Sequence, residues 1–165
     1  MSRSKPKKPE GETARDPARI RASALRLLAR REHSTQELSA KLVARGYEPG
    51  PVADAVGALA AGNLVSDARF VEEFVASRLR RGTGPAKIRE ELRGRGVDTV
   101  RVDAELAGHR DAWVVNAEHV RRKRFGAALP RDYAQRARQA RFLQQRGFTA
   151  EQIRTVLKGD VELQE

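Results

Sequence analysis

The sequence predicts an all-α protein made of one helical trio used three times. Three observations carry that prediction. Ala, Leu, Arg and Glu dominate, and no run alternates apolar and polar residues for long. Seven prolines and thirteen glycines sit mostly where helices should begin or end. Several positions also recur in register around Gly46, Gly96 and Gly147, which are fifty and fifty-one residues apart. The expected layout is three tandem three-helix, helix-turn-helix-like repeats over 17–64, 65–109 and 110–159, forming an elongated curved array. A disordered basic arm over 1–16 and a frayed tail over 160–165 flank them.

Taken in order, the arm mixes Ser, Pro, Lys, Glu and Gly with almost no apolar content, too little to offset its ordering entropy. Asp16-Pro17 then supplies an N-cap followed by proline at the first helical position. Ile20, Ala24, Leu27 and Leu28 form the apolar stripe of that helix. Ser34-Thr35-Gln36-Glu37 reads as a capping box, with Leu38 and Leu42 on the buried face of the second helix. Pro51 opens the third, with Val52, Val56 and Leu59 inward and a stop near Gly62-Asn63.

In the second repeat, a helix with Phe70, Phe74 and Leu79 inward ends at Arg81-Gly82-Thr83-Gly84. Pro85 then opens a helix carrying Ile88 and Leu92. The third repeat is the least regular. A helix from about Ala112 to Ala127 should bury Trp113, Val120 and Phe125. After Pro130, a helix over 133–146 leads to the capping box Thr149-Ala150-Glu151-Gln152 and a last helix to about Lys158.

The aligned positions have a mechanical meaning. Arg45, Arg95 and Arg146 precede the glycines, and Leu42, Leu92 and Leu143 lie four before them. Tyr47, Val97 and Phe148 follow directly. Val52, Val102 and Ile153 lie six after, and Val56, Leu106 and Leu157 ten after. A glycine in the left-handed conformation after a helix lets the next residue fold back onto the leucine. Each copy thus encodes a stop, an apolar clasp and a turn.

Charge sets the functional expectation. Lys plus Arg number 33 against 22 Asp plus Glu, a formal +11 with a pI near 10.9. The excess clusters on segments, which favours a polyanionic partner. Hydrophobic content of 39% with 5% aromatics implies thin cores and no thick shared interior. The absence of cysteine rules out disulfides and thiolate metal sites. No apolar run approaches a membrane span, and no apolar segment follows Arg3, Lys5, Lys7 and Lys8 as a secretory signal requires. A cytoplasmic location is the expectation.

No catalytic constellation emerges, so the expectation is a binder without enzymatic activity, cofactor or metal. His33, His109 and His119 sit in no ligand spacing, and His33 is expected to be exposed. Gly82-Thr83-Gly84 lacks the strand and spacing of a phosphate loop, so it reads as a hairpin turn. Glu72-Glu73 and Glu90-Glu91 are adjacent, diverge on a helix and suit nearby arginines at i±3 or i±4. The third helices begin with Pro51-Val52-Ala53-Asp54, Thr99-Val100-Arg101 and Thr149-Ala150-Glu151-Gln152, poor material for reading bases. Contact with phosphates or an acidic protein surface is the better reading. The rival is a free-standing DNA-binding protein or transcription factor. The expected contact residues are Arg78, Arg80, Arg81, Lys87, Arg89 and Arg93 in the middle repeat, with Arg121, Arg122, Lys123, Arg124, Arg138 and Arg141 in the third.

Three stretches carry a family resemblance: LLARREHSTQELSAKL (27–42), LVSDARFVEEFVASRLRRGTGPAKIREELRGRGV (64–97) and ARFLQQRGFTAEQIRTVLK (140–158). Over residues 18 to 158 the chain resembles the RecX regulatory proteins. It departs in its basic arm and in Ser66, where the family often has a second acidic residue. The resemblance implies a cytoplasmic modulator of the recombinase RecA. Such a protein lodges in the groove of the RecA filament on single-stranded DNA and restrains ATP hydrolysis, strand exchange and coprotease activity. A basic monomeric strip touching several filament subunits is the implied mode, with no catalytic residues to carry over.

Overall fold

The structure, a computed structural model, describes residues 9–159, and every regular element among them is an α-helix. The chain divides into two compact units, with the division after Phe70. The first eight residues of the expected arm and the tail over 160–165 lie outside the described residues.

In the first unit the helices are α1 (Glu12–Arg15), α2 (Pro17–Leu28), α3 (Thr35–Ala44), α4 (Pro49–Ala61) and the start of α5 (Asp67–Arg80). Asp16 caps α2 by accepting the Ala18 N–H at 2.9 Å, and proline fills its first position. Ile20, Ala24 and Leu27 meet Leu38 and Leu42 of α3 and Val52, Val56 and Leu59 of α4, with Val65 closing the cluster. Burying such a side chain contributes about 1.5–3 kcal/mol. The structure corrects the expected arm at its inner end. Residues 12–15 form a helical turn whose Ala14 is buried. Its carbonyl accepts the Glu48 N–H at 3.0 Å, and Arg15 pairs with Glu48 at 2.6 Å.

The clasp after α3 forms as its spacing dictates. Gly46 has φ +101°, the Tyr47 N–H reaches the Leu42 carbonyl at 3.3 Å, and the Gly46 N–H reaches Val43 at 2.9 Å. At the end of α4 the left-handed residue is Asn63 (φ +54°), and the Leu64 N–H bonds Leu59 at 2.8 Å. The first turn of α5 is tied to this unit. Asp67 accepts the Thr35 N–H at 2.8 Å, and Arg69 bonds Glu32 and the Asn63 side chain, each at 2.8 Å.

His33 is a correction. It is 2% exposed, with Nδ1 3.1 Å from Glu37 Oε2. Glu37 makes only half of the expected capping box. Its N–H bonds the Ser34 hydroxyl at 3.0 Å, but its carboxylate turns to Arg31, His33 and Lys41. Burial would raise that carboxyl. The hydrogen bonds from Arg31 and His33 outweigh burial and hold it down to about 2. Burial lowers His33, favouring its neutral form.

The second unit holds the rest of α5, α6 (Pro85–Arg93), α7 (Thr99–Gly108), α8 (Arg110–Phe125), α9 (Tyr133–Gln145) and α10 (Ala150–Lys158). Val71 and Val75 are buried, whereas Phe74 and Leu79 are only half-buried, so the inward face of α5 is rotated from the expected stripe. The Phe74 ring instead carries two guanidiniums, Arg78 at 4.6 Å and Arg95 at 4.7 Å from its centroid. Ile88, Leu92, Val97, Val102, Leu106 and Trp113 are buried, and the indole N–H of Trp113 bonds the Leu106 carbonyl at 3.0 Å. Ala117, Val120, Leu143, Phe148 and Val156 form a further cluster, while Phe125 is half-buried against Phe142. His109 sits at the junction of α7 and α8 and pairs with Glu105 at 3.0 Å.

Two glycine turns lock this unit together. The Gly84 N–H bonds the Arg146 carbonyl at 2.7 Å, and the Ala86 N–H bonds Gly147 at 3.0 Å. A Cβ on Gly84 would lie 2.3 Å from the Gly147 carbonyl carbon, and one on Gly147 would lie 2.4 Å from Lys87 Cβ. The turn at 82–84 is thus a docking surface for the α9–α10 turn as well as a helix stop.

Candidate functional site

The α8 positions Asn116, His119, Val120, Lys123 and Arg124 follow helical spacing and share one face. The C-terminal end of α5 brings Arg80, Arg81 and Gly82 beside that face, and the end of α9 adds Phe142 and Arg146. Together they line a groove of about 500 Å3. Gly82 permits the close approach: its φ is +71°, and a Cβ there would fall 2.4 Å from Val120 Cγ2. The Asn116 amide donates to the Leu79 carbonyl at 2.9 Å, tying α8 to the end of α5.

Five cationic side chains line the groove and no carboxylate does. Arg80, Arg81, Lys123 and Arg124 are exposed and make no ion pair among the described residues. Arg146 is held in place instead. Its guanidinium bonds the Arg81 and Gly82 carbonyls at 3.2 and 3.3 Å and lies over the Phe142 ring at 5.2 Å. Three helix C-termini meet here, and their carbonyl ends offset part of the repulsion among the cations. The arrangement suits a polyanion held by charge and hydrogen bonds.

Eleven of the twelve expected contact residues separate into three kinds. Arg80, Arg81, Lys123 and Arg124 converge on the groove. Lys87, Arg93 and Arg141 are exposed elsewhere, and Arg138 is exposed over the Phe125 ring at 5.8 Å. Arg78, Arg89 and Arg122 are committed to carboxylates, each at 2.7 Å, on Glu91, Asp103 and Glu118 respectively.

Arg121 is a correction, for it is fully buried. Its Nε and Nη2 grip Glu118 at 2.7 and 2.8 Å, Nη1 reaches the Ala128 carbonyl at 3.0 Å, and Nη2 reaches Ala127 at 3.2 Å. The run Arg121-Arg122-Lys123-Arg124 spans a full helical turn, so its members cannot share a face. Sequence reasoning also missed Asn116, His119, Phe142 and Arg146 as groove residues. A signal existed for Arg121: Glu118 lies three before it and four before Arg122, the spacing of helical ion pairs.

Among the described residues, no group of acidic, histidine or cysteine side chains could hold a metal ion. No described helix is long and apolar enough to cross a membrane.

A chain whose described residues are all helix, turn or loop, with an acid-free groove ringed by cations, defines a helical-repeat protein suited to hold a polyanion. Its relatives agree on the family. The first, second and third three-helix domains of RecX match residues 21–59, 66–106 and 114–157. The protein from Halorhodospira halophila named regulatory protein RecX is 50% identical over 135 residues, covering 82% of this chain and 84% of that one. A namesake from Pseudomonas fluorescens is 43% identical over 140 residues, covering 85% and 90%. The crystal structure of RecX from Lactobacillus salivarius superposes with a TM-score of 0.75 at 18% identity, covering 87% of this chain and 95% of that one. The chain belongs to the RecX family of regulatory proteins.

Proposed function

We propose that this chain regulates a RecA-type recombinase in the cytoplasm by binding its filament on single-stranded DNA, acting as a monomer and without enzymatic activity. The binding restrains ATP hydrolysis, strand exchange and coprotease activity, and so modulates DNA repair and the SOS response. The observation that carries this reading is the groove of Arg80, Arg81, Lys123, Arg124 and Arg146, acid-free in a chain whose relatives are named regulators. A filament on DNA presents phosphates, and such a groove takes them without reading bases.

The test is a titration of the chain into a RecA ATPase assay on single-stranded DNA, alongside its affinity for the same DNA without recombinase. Inhibition at chain levels far below those of the recombinase supports the reading. Inhibition only at levels that coat the bare DNA assigns the chain to free-standing DNA binding and overturns it.

A further inference from the structure

A second groove, of about 430 Å3, lies where α9 meets α10 in the second unit. Ala140, Phe148, Ile153 and Leu157 make its floor, and Arg136, Arg154 and Lys158 stand along its rim. All three rim cations are exposed and make no ion pair among the described residues, and no carboxylate lines the groove.

Its chemistry differs from that of the first groove. The first is polar, with an amide, an imidazole and a fixed guanidinium among its lining groups. The second has a mainly apolar floor, with Gln144 its one amide and charge confined to the edge. A nucleic acid gains little from such a floor. Its one aromatic, Phe148, is 3% exposed, so no base can stack on it. An amphipathic protein segment is complementary to both parts, with aliphatic side chains for the floor and carboxylates for the rim.

We propose that this groove docks an acidic amphipathic segment of a partner protein. The segment seats its apolar side chains against Ala140 and Ile153, which are part-exposed, and its carboxylates face Arg136, Arg154 and Lys158. The assignment stands apart from the recombinase reading, since any partner supplying such a segment would fit.

The test uses the full chain and a fluorescein-labelled peptide of leucine and glutamate in amphipathic helical spacing. A control peptide keeps every glutamate but carries serine for leucine, and oligothymidylate serves as competitor. The leucine peptide is expected to bind at least about tenfold more tightly than the serine one, because only it buries apolar surface. Arg136→Glu with Arg154→Glu is expected to weaken it about tenfold or more with circular dichroism unchanged, since both side chains are exposed. Amide shifts on binding should centre on Ala140 and Ile153. Equal binding of the two peptides, displacement by oligothymidylate, shifts centred on Arg80 and Lys123, or no binding at all would each overturn the proposal.

Discussion

Arg121 and Glu118, one turn apart on α8, form an ion pair that is 0% and 5% exposed at its side chains. Five hydrogen bonds from the one guanidinium reach Glu118, the carbonyls of Ala127 and Ala128, and Gln139 of α9. Burial by itself would raise Glu118, and the bonds from Arg121 and Arg122 outweigh it and lower the carboxyl. The pair ties α8 to the connection that leads into α9, and so underlies one wall of the first groove.

Removing one partner of such a pair strands the other. Arg121→Met should cost about 3–5 kcal/mol, read from urea unfolding, while Arg121→Met with Glu118→Leu should recover most of the loss. By contrast, Lys123→Glu should change stability by no more than about 0.5 kcal/mol, because that side chain is exposed and unpaired among the described residues. Equal costs at 121 and 123 would show that burial does not separate them.

The groove cations should act on binding and leave folding alone. Arg80→Glu with Lys123→Glu and Arg124→Glu is expected to abolish most RecA inhibition with helical content intact. If the groove contacts single-stranded DNA, each lost phosphate contact should flatten the log–log salt dependence of binding by about 0.7. Full inhibition by the folded variant would remove the groove from the site.

Glycine substitutions should split by neighbourhood. Gly84→Ala drives a methyl into the backbone at Gly147 and Phe148, which no rotamer change relieves, and should destabilise by about 1–3 kcal/mol. Gly57→Ala lies within α4 with nothing within 4 Å and should stabilise by about 0.5–1 kcal/mol. Thermal unfolding of the two variants gives the comparison directly.

The first unit should lose stability in acid. His33 and Glu37 both have folded values below their unfolded ones, so the unfolded chain binds more protons as pH falls. The His33 contribution is present above about 6.5 and declines below it. The Glu37 contribution is present above its ordinary carboxyl range and is lost as pH falls toward about 2. His33→Gln should flatten the upper part of that dependence, measured by urea midpoints across pH. An unchanged profile would mean that His33 is not held neutral.

Much of the architecture was legible beforehand. Asp16-Pro17, Ser34 and Thr149 marked helix starts because a short oxygen side chain satisfies open N–H groups through purely local geometry. Gly46 and Gly147 marked the clasps because glycine enters the left-handed region without a Cβ clash, and both clasps formed. The inward face of α5 was misjudged because Phe74 is large and apolar, yet two arginines take its ring. His33 was placed outside because a histidine beside a cap has no periodicity to betray its burial. Its partners Arg31 and Glu37 gather around it only after α2 and α3 pack.

What the sequence alone determined is the helical trio, its stops and its caps, together with a net positive charge. These depend on neighbours within a few residues, where backbone geometry leaves few choices. Only tertiary structure decided which cations face outward. Four consecutive basic residues at 121–124 point around a helix, so the packing of α8 against its neighbours sends Arg121 inward and leaves Lys123 and Arg124 on the groove. The same packing drew in Arg146 from the end of α9, sixty-five residues from Arg81, whose carbonyl holds it.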